Sequence, residues 1–193
     1  SYFQKEEREL VSINSIELRK SFFDKASDPL FLQKFGYLAE LLIEFAPPGQ
    51  ANERLYRMAC LTLETAAAEN LDAIGLYFEI WLLKLLGFLP GWENCENCAR
   101  ALGEKESASL QINFQLRCSV CQKSKNGLVV SPLERRIYNH AQKLAPAKFV
   151  ENFKVEETAV KNISGVLKRL ISQIIGKEIA QERIFAASAK MHK

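Results

Sequence analysis

Histidine is nearly absent. The 193 residues hold only two, His140 and His192. So few leave little room for imidazole catalysis or a histidine-built metal site. His140 lies among Tyr138, Asn139 and Ala141 in a helical stretch, which suits a surface or capping role. Glycine and proline are scarce too, at 9 and 6, which excludes collagen-like and low-complexity chains. There is no glycine-rich phosphate loop, no G-x-S-x-G and no H-E-x-x-H. These absences favour binding over catalysis. No apolar run is long enough for a membrane. The greasiest stretch, Leu76 to Leu89, is broken by Glu79, Lys84 and Gly87. Helix of that length covers about 21 Å, against the roughly 20 apolar residues a crossing needs, so it reads as a buried core helix. Residues 1–20 are mostly polar and hold no signal-like apolar core. The chain therefore reads as cytoplasmic, where thiols stay reduced. It starts at Ser1 without a methionine, as a processed form or a fragment would.

The remaining composition is that of a globular protein, 48% apolar and 25% charged, with length for one or two domains. A net charge of +3, from 26 basic and 23 acidic residues, says little by itself. Its distribution says more. Residues 1–121 carry 12 basic and 17 acidic side chains, a net of −5; residues 122–193 carry 14 and 6, a net of +8. The C-terminal third thus presents either a basic binding face or a solvated helix surface.

Periodicity divides the chain. Residues 2–13 suggest a weak β segment around the turn Lys5-Glu6-Glu7-Arg8. Asp28-Pro29 predicts a helix start, followed by Phe31, Phe35, Leu38, Leu42 and Phe45 at helical spacing and stopped by Pro47-Pro48-Gly49. Asn52 is placed to cap a second helix running to about Asn70. A third, from about Leu71 to Leu86, is apolar nearly all round and belongs at the centre of a bundle. Gly87 suits its stop. The strict alternation from Ser109 to Arg117 predicts a strand. Two closing helices are expected. One starts at Ser131-Pro132 with Leu133, Ile137 and Leu144 on one face; the other carries Val160, Ile163, Leu167, Leu170, Ile171 and Ile174, with Glu156-Glu157 at its N-terminus. The tail 186–193 reads as frayed.

Four of the five cysteines follow the pattern Cys95-x2-Cys98-x19-Cys118-x2-Cys121. Two C-x-x-C knuckles are the spacing of a four-thiolate zinc site, each turn presenting two sulfurs to one side. Such a closed site folds a small module and leaves no coordination position for hydrolysis. Arg100, Lys105, Arg117 and Lys123 are near enough in sequence to offset its charge. The alternatives are a redox dithiol and disulfides. A thioredoxin-type motif expects a strand before it and a helix after it, whereas Gly91-Trp92-Glu93-Asn94 precedes Cys95. A zinc-coupled redox switch also fits four thiolates. Cys60 lies apart, in an apolar helical stretch, as a small hydrophobe would.

The block Phe78-Glu79-Ile80-Trp81-Leu82-Leu83-Lys84-Leu85-Leu86-Gly87-Phe88-Leu89-Pro90, running into the first C-x-x-C, resembles the bacterial recombination mediator family RecO. Tyr37-Leu38-Ala39-Glu40-Leu41-Leu42, Ser131-Pro132 and the Leu167 to Phe185 region with Gly176-Lys177 are similar to it in the same order. The likeness covers roughly residues 10–185. Leu76-Tyr77 stands where some relatives carry two arginines. The resemblance implies a mainly α fold: a helical bundle with an inserted four-cysteine zinc-ribbon-like β module and a remnant of an N-terminal OB-fold barrel. Residues 1–18 would be the barrel's trailing strands, 19–91 the helical domain, 92–126 the zinc module, 127–185 helices packing back on it, and 186–193 a disordered tail. It also implies a non-enzymatic, nucleoid-associated role in DNA repair and recombination. Such proteins bind and anneal DNA, work with RecR, contact the acidic tail of single-strand-binding protein, and help load recombinase. For DNA phosphates the candidates here are Arg135, Arg136, Lys143, Lys148, Lys168 and Arg169. Weak binding of single- and double-stranded DNA is expected of this piece alone, since base-stacking aromatics would come from the barrel. A zinc-stabilised interaction or chaperone-like scaffold without DNA binding is the alternative.

Overall fold

The computed structural model describes residues 2–3, 12–18, 20–46, 49–122 and 127–176. Two short strands, β1 (Tyr2–Phe3) and β2 (Ser12–Ile13), pair antiparallel with Tyr2 opposite Ile13. The Lys5–Arg8 turn, Lys123, Lys177 and the tail 186–193 lie outside the described residues. Helices α1 (Phe23–Ala26), α2 (Pro29–Phe45), α3 (Glu53–Thr65) and α4 (Leu71–Leu85) follow. Next come three strands, β3 (Ala108–Leu110), β4 (Leu116–Arg117) and β5 (Leu128–Val130), and then α5 (Pro132–Ala141), α6 (Pro146–Phe153) and α7 (Glu157–Ile175).

The helix starts are set by caps. The Asp28 carboxylate accepts the Leu30 N–H at 2.9 Å, and Pro29 fills the next position, where an N–H has no helical partner. The Asn52 side chain accepts the Leu55 N–H at 3.1 Å. Ser131 and Glu134 cap each other's backbone, with Glu134 N–H to Ser131 Oγ at 3.2 Å and Ser131 N–H to Glu134 Oε2 at 2.7 Å. Helix α4 has no polar face, so it can only be an interior helix. It packs on α7 and α3 and also touches α2, α5 and α6. Ile74, Leu76, Phe78, Ile80, Leu82 and Leu83 are buried along it. It ends at Gly87, whose φ of 78° is the left-handed conformation glycine adopts freely.

Several expectations are corrected. Helix α3 stops at Thr65 rather than near Asn70, because Ala66 and Ala67 are extended. Asn70 instead accepts the Ala67 N–H at 2.9 Å and closes a short 3-10 turn before α4. The segment 109–117 is a hairpin, not one strand. The Phe114 N–H donates to Gln111 O at 3.0 Å with Phe114 at φ 61°, so the chain reverses at Ile112-Asn113. The alternation survives because Ile112, at the tip, is 94% exposed while Phe114 and Leu116 turn inward. The C-terminal part holds three helices, not two. Leu144 lies in the turn after α5, and Pro146 starts the separate helix α6.

One buried carboxyl crosses the bundle. Glu79 of α4 is 1% exposed and accepts the Ser164 hydroxyl of α7 at 3.0 Å. Burial pushes its pKa up, while Lys168, Ser164, Lys34 and Tyr37 work the other way. The folded state thus holds this proton more tightly than the unfolded chain, and linkage makes stability fall as pH rises through and above the ordinary value of 4.5. Replacing Glu79 with Gln is expected to remove that slope from unfolding free energies measured as pH is raised through and beyond 4.5. An unchanged slope would contradict this account.

Candidate metal centre

The first knuckle is shaped by a short ladder. Asn94 bridges Ala101, the Leu102 N–H donates to Glu93 O at 2.8 Å, and the Cys95 N–H donates to Arg100 O at 2.9 Å. Ala99 turns the corner at φ 59°. The second knuckle follows β4, with the Cys121 and Gln122 N–H groups both reaching Cys118 O. A bond from Glu96 N–H to Leu116 O at 2.8 Å holds the knuckles together. β3 is central in the antiparallel order β4-β3-β5, with Ser109 opposite Arg117 and Val129.

All four sulfurs, of Cys95, Cys98, Cys118 and Cys121, lie within 4.8 Å of one another, and Cys98 Sγ is 3.9 Å from Cys118 Sγ. A tetrahedral zinc with Zn–S of about 2.3 Å spaces its sulfurs about 3.8 Å apart, so the cluster fits that ion. Its chemistry suits the fit as well. The Cys118 N–H donates to Cys95 Sγ at 3.3 Å. Burial raises the Cys95 thiol, but backbone N–H groups of Cys118, Cys98 and Asn97 outweigh it and bring it down to about 6. Cys118 is lowered too, burial being outweighed chiefly by hydrogen bonding at Cys121. The Asn97 amide, 3.4 Å from Cys121 Sγ, favours that thiolate, yet Cys118 and Cys98 beside it push Cys121 up to about 11. Four thiolates this close would repel one another, and a cation held between them would offset that charge. Bound there, zinc would supply structure and no reaction, because four protein ligands close it. Cys60, far from the cluster in sequence, is half-buried on α3.

Three side chains tie this module to α5. Trp92 stacks on Tyr138, with centroids 4.0 Å apart, and donates to Phe114 O at 3.0 Å. The Tyr138 hydroxyl donates to Pro90 O at 2.6 Å. Tyr138→Phe leaves a buried carbonyl unpaired and should cost about 1–3 kcal/mol in urea unfolding; a change near zero would mean the bond carries no weight.

The third tie is Arg135, and it corrects the sequence reading. Arg135 is 5% exposed and cannot meet a phosphate at the surface. Its guanidinium donates to Trp92 O at 3.3 Å, Gly103 O at 2.8 Å, Glu106 O at 2.9 Å and Leu102 O at 2.9 Å. The residues flanking the cluster are also spoken for. Arg100 makes a two-pronged pair with Glu106, and Arg117 is 3.4 Å from Glu96.

The other basic candidates are spread over three helices and the turn after α5. Arg136, Lys148 and Arg169 are exposed on α5, α6 and α7. Lys143 is exposed but 3.4 Å from Glu93. Lys168 is half-buried, its amine 4.7 Å over the Tyr37 ring. His140 is exposed at the end of α5, edge-on to Phe153. Sequence reasoning missed the Asn97 amide and the Arg135 strut. Asn97 sits inside the first C-x-x-C and was open to notice; nothing local marks Arg135.

Residues 35–183 match the family described as Recombination protein O C terminal. The chain belongs to this family. Among curated proteins it is similar to DNA repair protein RecO of Desulforamulus reducens, 28% identical over 114 residues, 59% of this chain and 44% of that protein. RecO of Koribacter versatilis is 24% identical over 104 residues, 54% and 43% of the two chains. RecO of Clostridium acetobutylicum is 23% identical over 172 residues, 88% and 68%. The matched part is under half the length of the first two relatives. The matched residues take in the block Phe78–Pro90 on and after α4 and the four-cysteine cluster. Among the described residues, no helix is long and apolar enough to cross a membrane.

Proposed function

We propose that this chain is the helical and zinc-binding portion of a RecO-type DNA repair and recombination mediator, acting in the cytoplasm as a binding protein rather than an enzyme. The observation that carries the reading is the family match over residues 35–183, which takes in the closed four-cysteine centre. In this reading residues 1–18 trail an OB-fold barrel, 19–91 and 127–185 form the bundle and 92–126 form the zinc module. The whole protein would anneal DNA strands and help load recombinase onto strands coated by single-strand-binding protein, with RecR as partner. A cavity of about 580 Å³ has apolar walls from Leu30, Tyr37, Leu71 and Val160 and amines from Lys34 and Lys168. Glu69, Asp72 and Glu157 line it too, and a carboxylate-ended tail seated there would have to compete with Asp72, 2.8 Å from Lys34.

DNA contacts in this part would fall to Arg136, Lys148, Arg169, Lys143 and Lys168, all of them sequence-independent and salt-sensitive. The test is fluorescence anisotropy with single- and double-stranded DNA at two salt concentrations, joined to pull-down of RecR and single-strand-binding protein. Expected are dissociation constants of about 10⁻⁴–10⁻⁶ M near physiological salt and a smaller salt slope for Arg136→Glu with Lys148→Glu. Arg135 is left intact, since reversing it would break the fold. Nanomolar, salt-resistant binding would overturn the weak-binding expectation. No binding to DNA or to either partner would favour a zinc-stabilised scaffold. That second reading draws on the engagement of three of the six basic candidates: Arg135 is buried, Lys143 is paired with Glu93 and Lys168 sits on Tyr37.

A further inference from the structure

We infer that Cys98 is the point at which hydrogen peroxide and kindred two-electron oxidants open the four-cysteine centre. The inference rests on the zinc reading of the cluster. The four sulfurs differ in their cover. Cys95 and Cys118 are buried, and Cys95 Sγ accepts the Cys118 N–H. Cys121 is half-buried and its sulfur accepts the Asn97 amide. Cys98 is exposed, and among the described residues no N–H donates to its sulfur. An N–H···S bond draws charge from a thiolate and blocks one side of it. The sulfur open to solvent and lacking such a bond is the best placed nucleophile of the four. Cys118 Sγ, 3.9 Å away, is near enough to resolve what forms there.

The Cys98 thiolate attacks one peroxide oxygen: an S–O bond forms, the O–O bond breaks and hydroxide leaves, giving a sulfenic acid. The Cys118 thiolate then attacks Cys98 Sγ, forming an S–S bond as the S–O bond breaks and a second hydroxide leaves. Each sulfur has given up one electron, and one peroxide has become two hydroxides. Cys95 and Cys121 alone no longer close a tetrahedron, so the metal is lost. The loop whose carbonyls at Leu102, Gly103 and Glu106 hold Arg135 lies between Cys98 and Cys118, so oxidation also loosens the grip on α5.

The full chain carries its own reference thiol in Cys60, half-buried on α3. Zinc in the purified chain is measured first, by atomic emission. About one atom per chain is expected, and a metal-free chain would overturn the zinc reading and this inference together. The loaded chain is then titrated with hydrogen peroxide. Zinc release is followed with a colorimetric chelator and thiols by timed alkylation and peptide mass mapping. Cys98 should be lost at least about tenfold faster than Cys60. The first cross-linked peptide should join Cys98 to Cys118, with about one zinc freed per peroxide consumed. Dithiothreitol plus zinc should restore the starting map. Two outcomes with zinc present overturn the inference while leaving the zinc reading intact: Cys60 oxidising as fast while zinc is retained, or a first disulfide that omits Cys98.

Discussion

On the zinc reading, stripping the metal from this chain with a thiol reagent and a chelator is expected to unfold the segment from Trp92 to Gln122 while α4 and α7 stay helical. Besides Cys95 and Cys118, the apolar side chains the module buries are Trp92, Leu102, Ala108, Phe114 and Leu116. Its strands are two or three residues long, and Ile112, Val120, Leu128 and Val129 face solvent. A sheet this small is not stable alone. Structural zinc in peptide analogues contributes an apparent 10–16 kcal/mol or so, ample to fold such a loop. Limited proteolysis should cut between Gly103 and Gln115 after stripping and not before, and Cys118→Ser should behave like the stripped chain. Acid works in the same direction. Binding displaces protons, at neutral pH above all the one that Cys121 holds up to about 11, so affinity falls as pH falls. Cys95, already down at about 6, adds its own proton only in more acid solution. A segment that resists protease equally with and without metal would contradict all of this.

Arg135→Met should be the most damaging single substitution on α5. It removes a charged donor set that satisfies four backbone carbonyls, three of them in the loop from Leu102 to Glu106. Hydrogen bonds to a charged group contribute about 1.5–3 kcal/mol each, and they are not additive. A loss of about 3–5 kcal/mol in urea unfolding is expected, the range found when one member of a buried charged network is deleted. Arg135→Lys should recover little, because an ammonium cannot fork to carbonyls on opposite sides. The neighbouring Arg136→Met is the control: it is exposed and should shift stability by no more than about 0.5 kcal/mol. A loss below about 1 kcal/mol at Arg135 would show that the loop is held by other means.

These two arginines also show what could be read in advance. Adjacent and chemically identical, they read alike in a sequence. They part company only because helix α5 turns one toward a loop some thirty positions upstream. What is local was legible. Asp28, Asn52 and Ser131 announce their helices through side chains that bond two or three residues ahead. The all-round apolar character of α4 placed it at the centre, and the paired C-x-x-C spacing brought four sulfurs together. The hairpin at Ile112 was missed because its turn lacks glycine, its one clue being the Asn113 side chain that accepts the Gln115 N–H at 3.2 Å. Helix α6 was missed because the apolar spacing of α5 runs on through Leu144, although Ala145-Pro146 restarts the chain.

The order of the parts along the chain sets a schedule for biosynthesis. Both knuckles are complete at Cys121, whereas Arg135 and Tyr138, which dock the module, are made later. At about 5–20 residues per second, roughly one to three seconds separate the last ligand from the first anchor. In that interval the module is a free lobe on the nascent chain, open to metal from every side. Helix α5 then arrives after all four ligands are made, and clasps a lobe whose site is already complete.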